Sequence, residues 1–491
     1  MRKSGILMHI SSLPSPYGIG TLGAEARAFV DFLSESGQSF WQMLPVAPTG
    51  FGDSPYQSFS AFAGNPYFID LDTLAREGLL ESENYVNLNW GDDPARVDYG
   101  LLYKTRYSVL RKAAERLLSK GSEAFSAFCA ENALWLEDYA LFMALKDAHG
   151  GAAWSMWEKP LRFREEAALK RARASLAKDV AFYKALQFFF YSQWRALHQY
   201  AAEKAVSIIG DIPIYVAPDS ADVWANPELF QLDGDLRPVE VSGCPPDGFS
   251  ADGQLWGNPL YDWGAHKATG YAWWIARLRH AFSVYDVLRI DHFRGFDAYY
   301  AIPYGEKTAR NGRWREGPGY SFFAAVKSAL GNKPIIAEDL GFLTDSVRKL
   351  LADCGYPGMK VLQFAFDSRE ESDYLPHNYP RNCVAYTGTH DNDTIIGWFQ
   401  TAPRGDVDKA KDYMRLHEGE SGPRCMLQTL WSSVAELVIA QMQDLLELGS
   451  EGRMNTPGTA AGNWQWRMRP KTDLSEVSGW LRHVTALYGR L

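Results

Sequence analysis

Cysteine is scarce in this chain. Its 491 residues hold five (Cys129, Cys244, Cys354, Cys383, Cys425), odd in number, scattered and never spaced as CxxC. That excludes a disulfide framework and a zinc site of the usual spacing, and a reducing cytoplasm is the expected location. Positive charge is also short: the net charge is −9 and the pI near 5.7. Without a basic stripe to meet phosphates, nucleic acid is not an expected partner. No run approaches the roughly eighteen apolar residues of a membrane span. After the basic start Met1-Arg2-Lys3 the apolar stretch breaks at Ser11-Ser12-Leu13-Pro14, too short for a signal peptide. Internal repeats and low-complexity tracts are missing, which argues against a solenoid or a disordered chain.

Flat side chains, by contrast, are plentiful. Aromatic residues make up 14% of the sequence, with 17 Trp and 25 Tyr. They can fill a large core or line a groove whose ligand offers apolar faces and hydroxyl edges. Length by itself suggests about three domains, but barrel folds often run as one larger unit.

Short apolar runs suited to buried parallel strands recur at 5–10, 40–46, 207–216, 286–291, 334–338, 360–366 and 382–387, with an eighth candidate at 452–456. Helix-like stretches at 24–36, 271–282 and 320–330 supply crossovers. This pattern predicts an α/β fold, a (β/α)8 TIM barrel in which 1–491 form one catalytic unit. Helical patterns at 101–149 and 161–205 predict a mainly helical insertion over 75–205, supported by Trp135, Tyr139 and Phe142 at helical spacing. A rim insertion is expected at 217–270, and a helical block at 403–450, including 428–447, before the last strand. Nothing after that block reads as an appended β-sandwich.

Three acidic segments close apolar runs: Val287-Leu288-Arg289-Ile290-Asp291-His292, Ile335-Ile336-Ala337-Glu338-Asp339 and Thr387-Gly388-Thr389-His390-Asp391-Asn392-Asp393. Gly210-Asp211-Ile212-Pro213 adds a fourth. A strand alternates faces, so Arg289 and Asp291 share a side, whereas only one of Glu338 and Asp339 can face inward. One such acid reads equally well as a buried ion pair. Four are hard to explain by packing, because each carries a desolvation cost, and delivering groups from several strand ends to one rim is how barrel enzymes build active sites.

Paired carboxyl groups suit glycosidic bond cleavage, in which one acid stays ionised and another keeps a proton. Arg289 beside Asp291 favours the charged form there, while like charge and partial burial raise Glu338 toward about 6–7. His292 and His390 among these acids raise a metal site as the rival, but no HExxH or comparable ligand spacing accompanies them, so no metal is expected. Gly18-Ile19-Gly20-Thr21-Leu22-Gly23 matches GxGxxG. Two prolines separate it from the first strand and no acid closes the second strand, so a dinucleotide is not expected and no cofactor is predicted. Tyr56 and Trp256 stand out because they sit in polar, Gly-rich loops and not in apolar runs.

At these residues the chain resembles the 4-α-glucanotransferases of the amylomaltase, or disproportionating enzyme, family within the α-amylase-like clan. The likeness runs from about residue 5 to 467 through Ser12-Leu13-Pro14-Ser15-Pro16-Tyr17-Gly18, Ser54-Pro55-Tyr56-Gln57, Gly257-Asn258-Pro259, Arg289-Ile290-Asp291-His292-Phe293-Arg294-Gly295, Glu338-Asp339-Leu340-Gly341, Gly388-Thr389-His390-Asp391-Asn392, Arg453-Met454-Asn455-Thr456-Pro457-Gly458-Thr459 and Asn463-Trp464.

The resemblance implies that Asp291 is the nucleophile, Glu338 the general acid and base, and Asp391 the acid that grips sugar hydroxyls. It further implies that Arg289 orients Asp291, that Asp211 and His390 contact the same ring, that Tyr56 and Trp256 line neighbouring subsites, and that His292 and Asn463 join the substrate-binding set. Donors would be α-1,4-glucans and maltooligosaccharides, acceptors glucose or another glucan. An α-amylase-type retaining hydrolase is the alternative; a barrel that binds glucans without chemistry is a further one, opposed by the intact acids. The loop Pro245-Pro246-Asp247-Gly248-Phe249 carries glycine where a bulkier side chain is expected of the family.

Overall fold

The computed structural model describes residues 2–50, 52–246, 250–341, 343–459 and 461–491. Asp247, Gly248 and Phe249 of the proline-rich loop lie outside them. Among the described residues twelve strands form two sheets. They are β1 (Lys3–Leu7), β2 (Phe40–Gln42), β3 (Ser207–Pro213), β4 (Glu240–Cys244), β5 (Gln254–Pro259), β6 (Val287–Asp291), β7 (Ala298–Pro303), β8 (Arg313–Glu316), β9 (Ile335–Ala337), β10 (Gly358–Val361), β11 (Cys383–Tyr386) and β12 (Leu437–Gln441).

Eight of these pair in parallel in the order β10-β11-β12-β1-β2-β3-β6-β9. The two end strands meet at a seam. Ala337 N–H donates to Pro357 O at 3.0 Å, and Met359 N–H donates to the Asp339 carboxylate at 2.6 Å. The sheet thus closes on itself as a (β/α)8 barrel. Helices Ala24–Glu35, Ala272–Val284 and Tyr320–Leu330 are among its crossovers, and these strands are buried on both faces, which is why they read as apolar runs without alternation.

The sequence misplaced the eighth strand. It is Leu437–Gln441, inside the stretch read as helical, and 452–456 is a short 3-10 turn running into loop. The helices before it, Ile395–Thr401, Arg404–Met414 and Gly422–Ser432, stop at Ser433. An apolar run such as Leu437-Val438-Ile439-Ala440 suits a buried strand as well as a helix, and periodicity does not separate the two.

Among the described residues between β2 and β3 lie five helices of nine or more residues, Tyr99–Lys120, Glu123–Glu131, Ala133–Ala148, Glu166–Ser175 and Ala177–Glu203. The last buries Phe182, Leu186, Phe189, Phe190 and Leu197, and its Trp194 Nε1–H donates to Val284 O at 3.0 Å, tying this layer to the crossover before β6. Over 217–270 and beyond it, an antiparallel sheet of order β5-β4-β7-β8 rises at the rim. Buried Glu240 on β4 holds Arg313 and Arg315 of β8 at 2.9 and 2.7 Å. No helix among the described residues is long and apolar enough to cross a membrane.

Two glycine positions bear on the site. A Cβ on Gly210 would lie 2.2 Å from the Tyr285 ring, so only glycine lets that ring seal the strand next to Asp211. A Cβ on Gly23, the last glycine of the GxGxxG match, would lie 2.3 Å from the Asp70 carboxylate, which also accepts from Thr21 Oγ1–H. An acid therefore occupies the mouth of that helix, where a phosphate would need positive potential.

Candidate active site

The register of β3 against β6 sets Asp211 beside Arg289. Alternation then puts Asp291 on the same face of β6. One guanidinium serves both acids: Arg289 Nη1 is 2.6 Å from Asp211 Oδ2 and Nη2 is 2.9 Å from Asp291 Oδ1. Burial disfavours the Arg289 charge, but Asp211 and Asp291 outweigh it and push its pKa well above the ordinary value. Burial pushes the Asp211 carboxyl up against the pull of Arg289, and its Oδ1 has no hydrogen-bond partner among the described residues. Arg289 and Asp211 are 4% and 1% exposed, whereas Asp291 is 31% and Asp391 46%. The latter two therefore line the open face of the cluster.

Glu338 follows β9 directly. Its N–H donates to Ile290 O at 3.0 Å, and its carboxylate accepts from His292 N–H at 2.7 Å and Leu340 N–H at 2.8 Å. His292 turns to φ 55°, a left-handed conformation that costs a non-glycine residue energy and aims its N–H at Glu338. Burial, and next the charge of Asp291, push the Glu338 carboxyl up to about 7 against the pull of Arg289. Asp339, on the other face, serves the barrel seam.

Tyr56 donates its hydroxyl to Asp211 Oδ2 at 2.9 Å and stacks on His390, with ring centroids 5.0 Å apart and planes at 19°. Trp464 stands 6.0 Å from the Tyr56 ring and 5.8 Å from His390. Burial lowers the His390 pKa against the pull of Asp391, disfavouring the charged ring; its Nε2 lies 3.4 Å from Asp391 Oδ1. Asn455 Nδ2–H donates to that same oxygen at 2.6 Å. Trp256 meets His292 edge-on at 4.7 Å, and burial lowers the His292 pKa to about 4.

Charge interactions link the parts. Tyr56 feels Asp211, Arg289, Asp291 and Asp391, and Glu338 feels Asp291 and Arg289. The structure thus brings Asp291, Glu338, Asp391, Asp211, Arg289, Tyr56 and His390 around one opening, with His292 and Trp256 at its edge.

It does not bring in Asn463, whose side chain closes its own turn by accepting from Thr456 N–H at 3.0 Å and donating to Thr459. The adjacent Trp464 is the residue of that pair that reaches the cluster. Asn455 and Arg453 went unremarked as site residues, although the Arg453-Met454-Asn455 segment marked the place. Among the described residues no three His, Cys, Asp or Glu side chains are grouped to hold a metal ion. A carboxylate beside a cation and a second, buried carboxyl pushed up to about 7 are the pairing that acetal chemistry calls for.

The sequence profile of 4-alpha-glucanotransferases matches residues 8–473. The chain belongs to the 4-alpha-glucanotransferase family. Among its relatives, the 4-alpha-glucanotransferase of Thermus thermophilus is 50% identical over 501 residues, covering 100% of this chain and 99% of that one. The 4-alpha-glucanotransferase of Clostridium butyricum is 49% identical over 485 residues, 98% of this chain and all of that one. The structure of an amylomaltase from Streptococcus agalactiae in complex with acarbose superposes with a TM-score of 0.98 at 47% identity, covering both chains fully. The barrel is thus that of a 4-alpha-glucanotransferase, a hexosyl transferase acting on α-1,4-glucans, and the hydrolase alternative is not favoured.

Proposed function

We propose that this 4-alpha-glucanotransferase works by double displacement on Asp291, with maltooligosaccharides and longer α-1,4-glucans as donors and glucose or another glucan as acceptor. An Asp291 oxygen attacks the anomeric carbon while the bond to the leaving oxygen breaks and Glu338 passes its proton to that oxygen. Glu338, now charged, takes the proton of the acceptor 4-hydroxyl, whose oxygen attacks the same carbon and releases Asp291. Two inversions retain the α configuration.

Arg289 orients Asp291 and Asp211, Asp391 grips the donor hydroxyls, His390 and Asp211 meet the same ring, and Tyr56, Trp256 and His292 border it. Transfer in place of hydrolysis requires the acceptor to outcompete water, which orientation on aromatic subsites favours. The cysteines are few and scattered, which suits a cytoplasmic enzyme.

The observation that carries this reading is the buried Glu338 carboxyl held near neutrality beside Asp291. Chromatography of the products from maltotriose tests it. The wild type should give glucose and glucans longer than the substrate, and Asp291→Asn should give neither, a loss of about 10³-fold or more. Only shorter chains from the wild type, or a fully active Asp291→Asn, would sink it.

A further inference from the structure

Asp391 has a half-exposed carboxylate, yet gripping a sugar through two hydroxyls needs a fixed plane. Its Oδ1 is held by Asn455 Nδ2–H at 2.6 Å and approached by His390 Nε2 at 3.4 Å, while no hydrogen bond reaches Oδ2 among the described residues. Asn455 is itself anchored. Its N–H donates to His390 O at 3.0 Å, and its carbonyl accepts from Arg453 Nε–H at 2.8 Å. Arg453 then reaches back, Nη2–H donating to the carbonyl of Asp391 at 2.7 Å. On the far side its Nη1 is 4.0 Å from Asp393 Oδ2, which also accepts from Ser450 Oγ–H at 2.7 Å. Gln363 Nε2–H donates to the Asp393 carbonyl at 2.8 Å. Asp391, Asn455 and Arg453 therefore close a ring between the loop after β11 and the loop after β12.

We propose that Asn455 and Arg453 are positioning residues for the transfer reaction, fixing the main chain and one oxygen of Asp391 so that the other oxygen faces the sugar. The inference rests on the role given to Asp391 above. The chemistry of the contact supports it. A carboxylate only accepts, so the amide must present its nitrogen, and a donor opposite a charged acceptor makes one of the stronger hydrogen bonds. An amide orients without contributing charge; a lysine or arginine in its place would compete with the substrate for the carboxylate. Among the described residues the charged and titratable groups at Asp391 are Arg453 on its carbonyl, His390 beside its Oδ1 and Tyr56 across the opening, with Asp393 beyond Arg453 and with Arg289 and Asp291 beyond Tyr56 and His390.

The test is the pH dependence of transfer from maltotriose, read as the ratio of variant to wild type so that Glu338 cancels. Asn455→Ala should lower kcat roughly ten- to hundredfold at every pH, with a thermal midpoint within a few degrees of wild type. Asn455→Asp should behave differently. Two carboxylates in hydrogen-bond contact share a proton, so the new side chain donates as the amide did when pH is low and repels Asp391 when pH is high. Its ratio to wild type should climb at least about fivefold from pH 8 to pH 5.

A purely structural role would depress both variants without that slope. Arg453→Lys, which keeps the charge and loses the paired contacts, should give a smaller loss in kcat with KM little changed, and it serves as the second variant if either Asn455 substitution unfolds. Full activity of Asn455→Ala and Arg453→Lys, or a flat ratio for Asn455→Asp, overturns the proposal. If instead Asp391→Asn leaves transfer intact, the role of Asp391 fails and not the clamp.

Discussion

Glu338 and Asp444 are buried carboxyl groups beside different barrel strands, and burial pushes both up to about 7. Their surroundings differ in kind. Asp444 accepts from Thr387 Oγ1–H at 2.7 Å and Ile395 N–H at 2.8 Å, with no cation in contact among the described residues, and it pins the end of β11 to the start of the helix that follows. Glu338 accepts from two backbone N–H groups, feels Asp291 and Arg289, and opens on a cluster whose outer acids reach solvent. A carboxyl displaced toward neutrality is thus no sign of chemistry by itself. Asp444 too feels a neighbouring acid, Asp393; what separates the two is the Arg289 cation near Glu338 and room for a ligand.

The sharpest way to break this contrast is to neutralise each acid. Glu338→Gln should cut transfer from maltotriose by about 10²–10⁴-fold, the usual worth of a general acid and base, while Asp444→Asn should change kcat by less than about threefold. Equal losses would place both groups in the reaction. A second effect is smaller and graded. If Glu338 must be protonated to start donor cleavage, kcat/KM should fall about tenfold per pH unit above its value near 7, and Asp444→Asn should leave that limb where it is.

The smallest effect lies in stability. Both acids have folded-state pKa values raised above the ordinary carboxyl range, so the folded chain binds more protons than the unfolded one between pH 4 and 7. Stability is then full below pH 4 as far as these groups go, and is lost as pH rises through about 7. Asp444→Asn and Glu338→Gln should each flatten that decline, raising the melting midpoint at pH 8 relative to pH 5 by about 1–4 °C compared with wild type.

The sequence was legible where one physical cause dominated. Seven barrel strands showed as short apolar runs because both of their faces are buried, and their acids stood out against those runs. The split between Glu338 and Asp339 followed from alternation alone. The eighth strand failed because Leu437–Gln441 lies between a helix and a helical turn, so its run merged with theirs. The rim sheet was invisible for another reason: β8, with Arg313, Trp314, Arg315 and Glu316, is a polar edge strand whose partner Glu240 is about 70 residues away. Asn463 entered the substrate-binding set on the resemblance alone, and only the fold reveals that its side chain is engaged within its own turn while Trp464 reaches the cluster. Asp444 gave no signal, because an acid inside Gln441-Met442-Gln443-Asp444-Leu445 reads as the solvent face of a helix.

The join between β9 and β10 has one more consequence. Elsewhere the staves of the barrel are laced by runs of main-chain hydrogen bonds, but here, among the described residues, the hoop is fastened by one amide pair and the Asp339 side chain, a single residue from Glu338. Glu338, the proposed proton donor, sits one residue from that hasp, yet it is tied to the β6 side through Ile290 O and His292 N–H. Loosening of the fastening would therefore leave Glu338 travelling with the stave that carries Asp291, so the barrel can breathe at its weakest join without parting the two acids.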